Sequence, residues 1–310
     1  MAKRPTPHGV LLIDKPVGIT SFDVLRRLRR IVGTKKLGHA GTLDPFASGL
    51  LVVCVGEYTR FAGYLTDDDK QYLADVRLGV ATNTDDLEGE VISTTALPSD
   101  WEEKLPAVLE NYRGTIEQRP PAFSAIHVDG QRAYALARQG EDVVIPSREI
   151  TVQRLTVEEV VEDGFSMTVE ASKGTYIRAL ARDIGAELGV GGHLRALRRT
   201  QSGAFHISEA HTLEALELAS EQGAVPLLLG KQALRSMPSL VLNEDEVRRM
   251  RFGQAAPQPP TVAHGLYALY AAPDEALLGL GDVRAIEGDE EAVEGFDRVL
   301  RVRRLLPQVS

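Results

Sequence analysis

One cysteine in 310 residues is the scarcest chemical resource of this chain. A lone Cys54 cannot close an intrachain disulfide and leaves no cysteine set for zinc. It lies in an apolar run and reads as a small core residue. The opening MAKRPTPHG lacks the apolar stretch of a secretory signal, and the longest unbroken apolar run is far too short to cross a bilayer. Neither a G-x-S-x-G elbow nor an H-E-x-x-H pair is present, which argues against serine and zinc hydrolases. A P-loop is missing too, and the G-x-G-G at 189–192 is too short and wrongly placed for a dinucleotide fingerprint. No fixed period repeats, so a solenoid is not expected. These absences point to a soluble, cytoplasmic protein with no membrane partner, no metal site and no cofactor.

What is present is enough apolar material, 43% of residues, to bury a core. The length suggests two domains. The texture changes near residue 235, where a Pro/Ala-rich run and short strands begin, so we divide the chain into 1–235 and 236–310. The net charge of −9 argues against a nucleic-acid partner, but the acidity is regional. Residues 81–165 hold seventeen acids and seven cations, which leaves the remainder near +1. Arg26, Arg27, Arg29, Arg30, Lys35 and Lys36 form an acid-free basic stretch. Such a run is either a solvated helix face or a phosphate-binding surface.

The stretch Lys35–Gly56, KKLGHAGTLDPFASGLLVVCVG, organises the chain. Asp44 is the only acid between Asp23 and Glu57. It sits in a glycine-bearing loop just before an apolar strand, a setting where reactive side chains are held. A lone carboxylate in positive surroundings stays ionised and is a competent nucleophile or base. The bland alternative is that Asp44-Pro45 simply opens a turn.

The segment GHAGTLDPFASGLL resembles the catalytic segment of the TruB family of tRNA pseudouridine synthases, with Asp44 in the place of the family's aspartate. Other stretches share the resemblance. Lys15–Ser21 fits KPxGxTS, KQYLADVRLG fits KxYxxxxxLG at Tyr72, and SKGTYIR places Tyr176 and Arg178. HLRALRRT at 193–200 resembles the end of the family's catalytic domain, with Leu197 as a pocket wall. Together they cover roughly residues 8–210. RPPAFSAIHVDGQRAYALARQG, 119–140, also fits, except that Phe123 replaces a tyrosine and His127 a lysine.

The resemblance implies uridine isomerisation at position 55 in the TΨC loop of tRNA, on a flipped base, without a cofactor. It implies Asp44 as nucleophile, toward C1′ or C6, and Arg178 as its partner. Tyr72 would stack on the base, Tyr176 and Leu197 would line the pocket, and His39 would fill the gap left by the nucleotide. Lys15 and Asp86 are supporting residues. The bland readings are a turn lysine for Lys15, an Asx turn for Asp86 with Asp85 as rival, and core packing for Tyr72. Arg178 lies in a helical first turn, where a cation is disfavoured and needs an acid. A non-catalytic RNA-binding protein is one rival function; an aspartate-nucleophile hydrolase is another.

For the fold, hairpins outnumber β-α-β crossovers. The expectation is α/β of α+β character, with a mixed, mainly antiparallel sheet of the pseudouridine synthase type. Residues 236–310 would form a small β-rich, PUA-like RNA-binding unit, and the chain would act as a monomer. Locally, Ser21 is expected to cap a helix over 22–32, and Ser99 with Glu102 to box a second helix. A short helix is expected over 132–139. Arg195, Arg198 and Arg199 are expected to add positive charge.

Overall fold

A computed structural model of the chain describes residues 6–124, 145–286 and 296–307, and the backbone alone at 127–128 and 131–132. The helix expected over 132–139 and the His127 side chain lie outside the described residues.

Apolar alternation builds one large sheet. Its strands are β1 (Gly9–Lys15), β2 (Leu37–His39), β3 (Ser48–Val55) and β4 (Lys70–Leu78). Strands β5 (Val80–Thr82) and β6 (Val91–Thr94) pair as a separate ribbon, while β7 is Gly114–Gln118. Two-residue strands β8 (His127–Val128) and β9 (Gln131–Arg132) form a second ribbon. The series closes with β10 (Arg148–Val161), β11 (Gly164–Ala171) and β12 (Gly192–Ser202). The main order is β1-β3-β12-β4-β11-β10-β7. Every pair along it is antiparallel except β3 with β12, so the sheet is mixed and mainly antiparallel, as expected.

The parallel contact is short. Only Ser48 and Gly49 of β3 meet β12, at Arg198 and Arg199. Strand β1 covers one edge of β3 from Gly49 to Val55. The other edge therefore carries both β12, at its start, and β2, which pairs with Val53–Val55. The loop 40–47 emerges where β2 and β12 part. Gly49 permits this crossing: its φ is +101°, and a Cβ there would lie 2.3 Å from the Arg199 carbonyl oxygen.

The first helix, Ser21–Ile31, buries Val24, Leu25, Leu28 and Ile31 on one stripe. Its cap is Thr20 rather than Ser21. The Thr20 side chain accepts from the Asp23 amide, and Asp23 returns a bond to the Thr20 amide. Ser21 is displaced because its hydroxyl is used elsewhere. The box expected at Ser99/Glu102 is likewise absent. Asp100 is the cap residue without a side-chain cap bond, its carboxylate paired with Lys104 at 2.8 Å.

One core cluster joins the first helix, the 43–47 loop, the Ile177–Glu187 helix and one face of β4, β10, β11 and β12. A second apolar cluster lies on the other side of β1 and β3. There Val10, Leu12, Leu50, Val52 and Cys54 meet Ala268, Tyr270 and Leu280 of the C-terminal sheet. Burial pushes the Cys54 thiol up to about 12, which fits an inert core residue. The C-terminal sheet has five strands, with Gly265–Ala271 and Ala276–Ala285 at its centre. Among the described residues no helix is long and apolar enough to cross a membrane.

Candidate active site

Asp44 sits in a loop braced from three sides. The first brace is the Lys15–Ser21 turn. Lys15 is fully buried, and its ammonium donates to the carbonyls of Pro16, Ile19 and Pro45 at 3.0, 2.7 and 3.4 Å. The Gly18 amide donates to the Pro45 carbonyl at 2.8 Å. The Ser21 hydroxyl brackets Leu43, accepting from its amide at 2.9 Å and donating to its carbonyl at 3.1 Å. Residues on both sides of Asp44 are thus pinned by one short motif. Lys15 is no surface turn residue; burial lowers its pKa to about 8, against the pull of Asp44.

The second brace is Arg199, 1% exposed. Its Nε donates to the Leu50 carbonyl at 2.7 Å and its Nη2 to the Gly41 carbonyl at 3.1 Å. Arg195 is shared by Asp75 and Asp163, and Arg198 is bidentate on Asp14. Facing carboxylates thus offset the charge expected at Arg195 and Arg198. Arg199 hydrogen-bonds to neutral carbonyls and keeps its positive charge, which adds to burial in lowering the pKa of both His39 and Lys70.

The third brace is Arg178, 4% exposed, on the first turn of the Ile177–Glu187 helix. Its Nε lies 3.0 Å from the Asp44 carboxylate. This contact is an ion pair rather than an aligned hydrogen bond. Nη1 lies 3.3 Å from Asp86 and donates to the Thr84 carbonyl at 2.8 Å, and Nη2 donates to the Phe123 carbonyl at 3.0 Å. The cation disfavoured at a helix start is thereby compensated by two carboxylates and two carbonyls.

Both readings of Asp86 hold at once. Its Oδ1 accepts from Thr84 Oγ1 and from the Glu88 amide, an Asx turn, while Oδ2 faces Arg178. Its rival Asp85 pairs one helical turn further on, with Arg182 at 3.0 Å. Asp85 adopts φ of +61°, and burial pushes its carboxyl up to about 6.

The Asp44 carboxyl is densely surrounded, although 37% of its side-chain surface stays open to solvent. Burial raises its pKa above the ordinary carboxylate range; Arg178 and Lys15 oppose this, and Asp86 adds to it. A carboxylate so placed is more basic and more nucleophilic than a free one, with Arg178 keeping it oriented.

Tyr72 reaches this neighbourhood through strand register. It stands opposite Arg199 of β12 and Val169 of β11, and directly opposed residues share a face. Leu197 stands opposite Ala74 on that face. Tyr72 packs against the cluster that contains Leu43, Phe46, Ile177 and Leu197. Tyr176 ends the β11-to-helix turn. The buried Gln118 amide accepts from its N–H at 2.8 Å and donates to its carbonyl at 3.0 Å, and the Arg148 guanidinium lies 5.1 Å from its ring centroid. His39, at the end of β2, is half-buried, and burial and Arg199 together lower its pKa. The imidazole is therefore neutral at pH 7. Its Nδ1 has no partner among the described residues.

Arg178 thus brings Asp44 and Asp86 together by direct contact, Lys15 joins them through the Pro45 carbonyl next to Asp44, and Tyr72 and Leu197 lie on the adjoining apolar wall. Sequence reading missed the Ser21 bracket, the Gln118 clamp, the Arg199 tie and the Arg182–Asp85 pair. Only the spacing of Arg178 and Arg182, four residues apart on one helix face, carried a signal.

Comparisons with known proteins give the class of this mixed, mainly antiparallel sheet with its arginine-held aspartate, a pseudouridine synthase. The family profile described as "TruB family pseudouridylate synthase (N terminal domain)" matches residues 29–177, and "tRNA pseudouridylate synthase B C-terminal domain" matches 178–236. The chain belongs to the TruB family. A relative from Mycobacterium sp. (strain KMS), "tRNA pseudouridine synthase B", is 45% identical over 276 residues, 88% of this chain and 91% of its own. One of the same description from Cutibacterium acnes is 46% identical, covering 79% and 84%. Among solved structures, "Structure of H/ACA RNP bound to a substrate RNA containing 2'-deoxyuridine" superposes with a TM-score of 0.71 at 26% identity, covering 96% of this chain and 85% of that one. A "Cbf5-Nop10-Gar1 Complex" gives 0.71 at 27%, covering 96% and 84%.

Proposed function

We propose that this chain converts uridine to pseudouridine at position 55 in the TΨC loop of tRNA, with Asp44 as the nucleophile. The observation that carries the reading is the buried Arg178, which holds Asp44 and Asp86 on one guanidinium. The 45%-identical relatives, each described as tRNA pseudouridine synthase B, support tRNA as the substrate. In the reaction the N1–C1′ bond breaks, the base turns, and a C5–C1′ bond forms. C5 loses its proton and N1 gains one. No group is added and the oxidation state is unchanged, so protein side chains suffice without a cofactor.

A stacked base cannot turn, so the uridine must be flipped out, at a cost of a few kcal/mol. Asp44 attacks C1′ of the ribose or C6 of the base. Arg178 keeps Asp44 ionised and aimed. Tyr72 stacks on the base and, if the ribose passes through a glycal, takes the C2′ proton. Tyr176 and Leu197 line the pocket. Neutral His39 stacks in the gap the nucleotide leaves. Lys15 fixes the loop, and Asp86 holds the second side of Arg178. Residues 1–235 act as the catalytic unit and 236–310 as a PUA-like RNA-binding unit, in a cytoplasmic monomer.

The test is tritium release from tRNA labelled at C5 of uridine. Wild type releases tritium, whereas Asp44→Asn, which keeps the side-chain shape, releases none and binds tRNA within a few-fold of wild type. Product formed by the asparagine variant would overturn the assignment of Asp44. A wild type that releases no tritium would favour the RNA-binding reading without chemistry.

A further inference from the structure

The first helix carries an aromatic that neither the core nor the proposed chemistry uses. Phe22 is 58% exposed, on the first turn of a helix whose other apolar side chains are buried. The Arg29 guanidinium, two helical turns on, lies over its ring, 5.5 Å from the centroid. Arg29 is itself half-buried, and its Nε has no hydrogen-bond partner among the described residues. Arg26 lies on the same face, one turn from Phe22; it pairs with Asp23 at 2.9 Å yet keeps 67% of its side chain open to solvent. Val17, 64% exposed, flanks the other end of the same turn.

This cluster borders the Asp44 loop. Ser21, the residue before Phe22, bonds to both backbone groups of Leu43, the residue before Asp44. Gly18, the residue after Val17, bonds to Pro45, the residue after Asp44. Phe22 and Val17 thus hang outward from the two points at which the turn grips the loop.

We propose that Phe22, backed by Arg29, is a stacking platform for an unpaired nucleotide of the RNA substrate, outside the pocket that takes the target uridine. An aromatic ring gives a base its π-face at little cost in ordering. The guanidinium behind it adds a cation–π contribution, and Arg26 adds charge for the adjoining phosphate. A partner protein would call for a wider apolar patch; one ring framed by arginines fits a nucleobase and its phosphodiester. The inference rests on the RNA-modifying reading above.

The experiment uses the full chain and a synthetic RNA hairpin of the TΨC arm, carrying 2-aminopurine at one loop position at a time. The fluorescence of one position outside the target site is quenched on binding to wild type. Phe22→Ala loses that quench and weakens binding by about tenfold or more, the usual effect of removing one base–aromatic stack. Single-turnover isomerisation at saturating RNA stays near wild type, and Phe22→Trp keeps both the quench and the affinity. Thermal denaturation at the wild-type midpoint shows that Phe22→Ala is folded. Affinity within about twofold of wild type, or a quench unchanged in Phe22→Ala, overturns the platform. So does a change confined to self-association in sedimentation, which would make Phe22 a contact between copies. If the platform fails while wild type still releases tritium, the catalytic reading survives; if wild type is inactive, that reading falls whatever Phe22 does.

Discussion

Replacing Arg178 by methionine is the sharpest test of the electrostatic argument. The substitution keeps an unbranched apolar stem and removes a guanidinium that sits 3.0 Å from Asp44 and 3.3 Å from Asp86. The Thr84 and Phe123 carbonyls lose their donors as well. Removing one partner of a buried ion pair costs about 3–5 kcal/mol. Asp44 keeps 37% of its side-chain surface open, so solvent screening lowers the expected cost at pH 8 to about 2–4 kcal/mol. The loss depends on pH in a defined direction. In wild type the Asp44 pKa is already raised by burial, with Arg178 holding it down. Without the cation it rises further above its unfolded value. The folded variant then binds more protons than the unfolded chain in that window, so its stability falls as pH rises. The deficit relative to wild type should therefore shrink between pH 8 and pH 5 by at least about 1 kcal/mol, since each unit of extra shift is worth about 1.4 kcal/mol. Urea denaturation of both proteins at the two pH values measures it. A deficit that is flat with pH, or below about 1 kcal/mol throughout, would refute the reasoning. Arg178→Lys separates charge from geometry. It should restore most of the pH dependence yet turn over at least about a hundredfold more slowly, because one ammonium cannot span four acceptors.

Two further outcomes follow from the loop braces. Ser21→Ala should lower stability by about 1–3 kcal/mol, because it strands the buried Leu43 amide and carbonyl together; Thr20→Ala should cost about 1 kcal/mol through the cap alone. Thermal melts of the pair would contradict the revised capping assignment if the order were reversed. For Asp85, whose carboxyl titrates near pH 6 in the folded chain, the raised pKa makes its contribution to stability decline as pH rises from 4 to 7. Asp85→Asn should remove that decline from the stability–pH curve, and an identical slope in the two proteins would rule out the buried Asp85 carboxyl as its source.

The sheet's mainly antiparallel character was expected from hairpins, yet along the main order only β10 and β11 are consecutive strands; Arg178 was readable because a cation in a first turn demands an acid. The Ser21 bracket was hidden for a physical reason. Serine before an amphipathic helix is itself a good cap, and nothing local reveals that Thr20 takes that role and frees the hydroxyl to reach Leu43 across 22 residues. The partners of Arg195 and Arg198 were hidden because net local charge says nothing about what lies across a strand. Asp14, Asp75 and Asp163 are remote in sequence and adjacent only once β12 takes its place in the sheet. Arg199 is the extreme case. Its acceptors are backbone carbonyls, which no side-chain pattern can advertise.

The apolar cluster shared by β1, β3 and the C-terminal sheet bears on how the polypeptide is divided. Leu12, Val52 and Tyr270 belong to a single oily seam, so a cut near residue 235 would uncover part of one face of the strand that follows the Asp44 loop, where Tyr58, Phe61 and Phe205 also pack. The boundary drawn from sequence texture is thus a change in chain composition that one apolar seam crosses. The strand that steadies the reactive loop is insulated on its far side in part by residues more than 200 positions downstream.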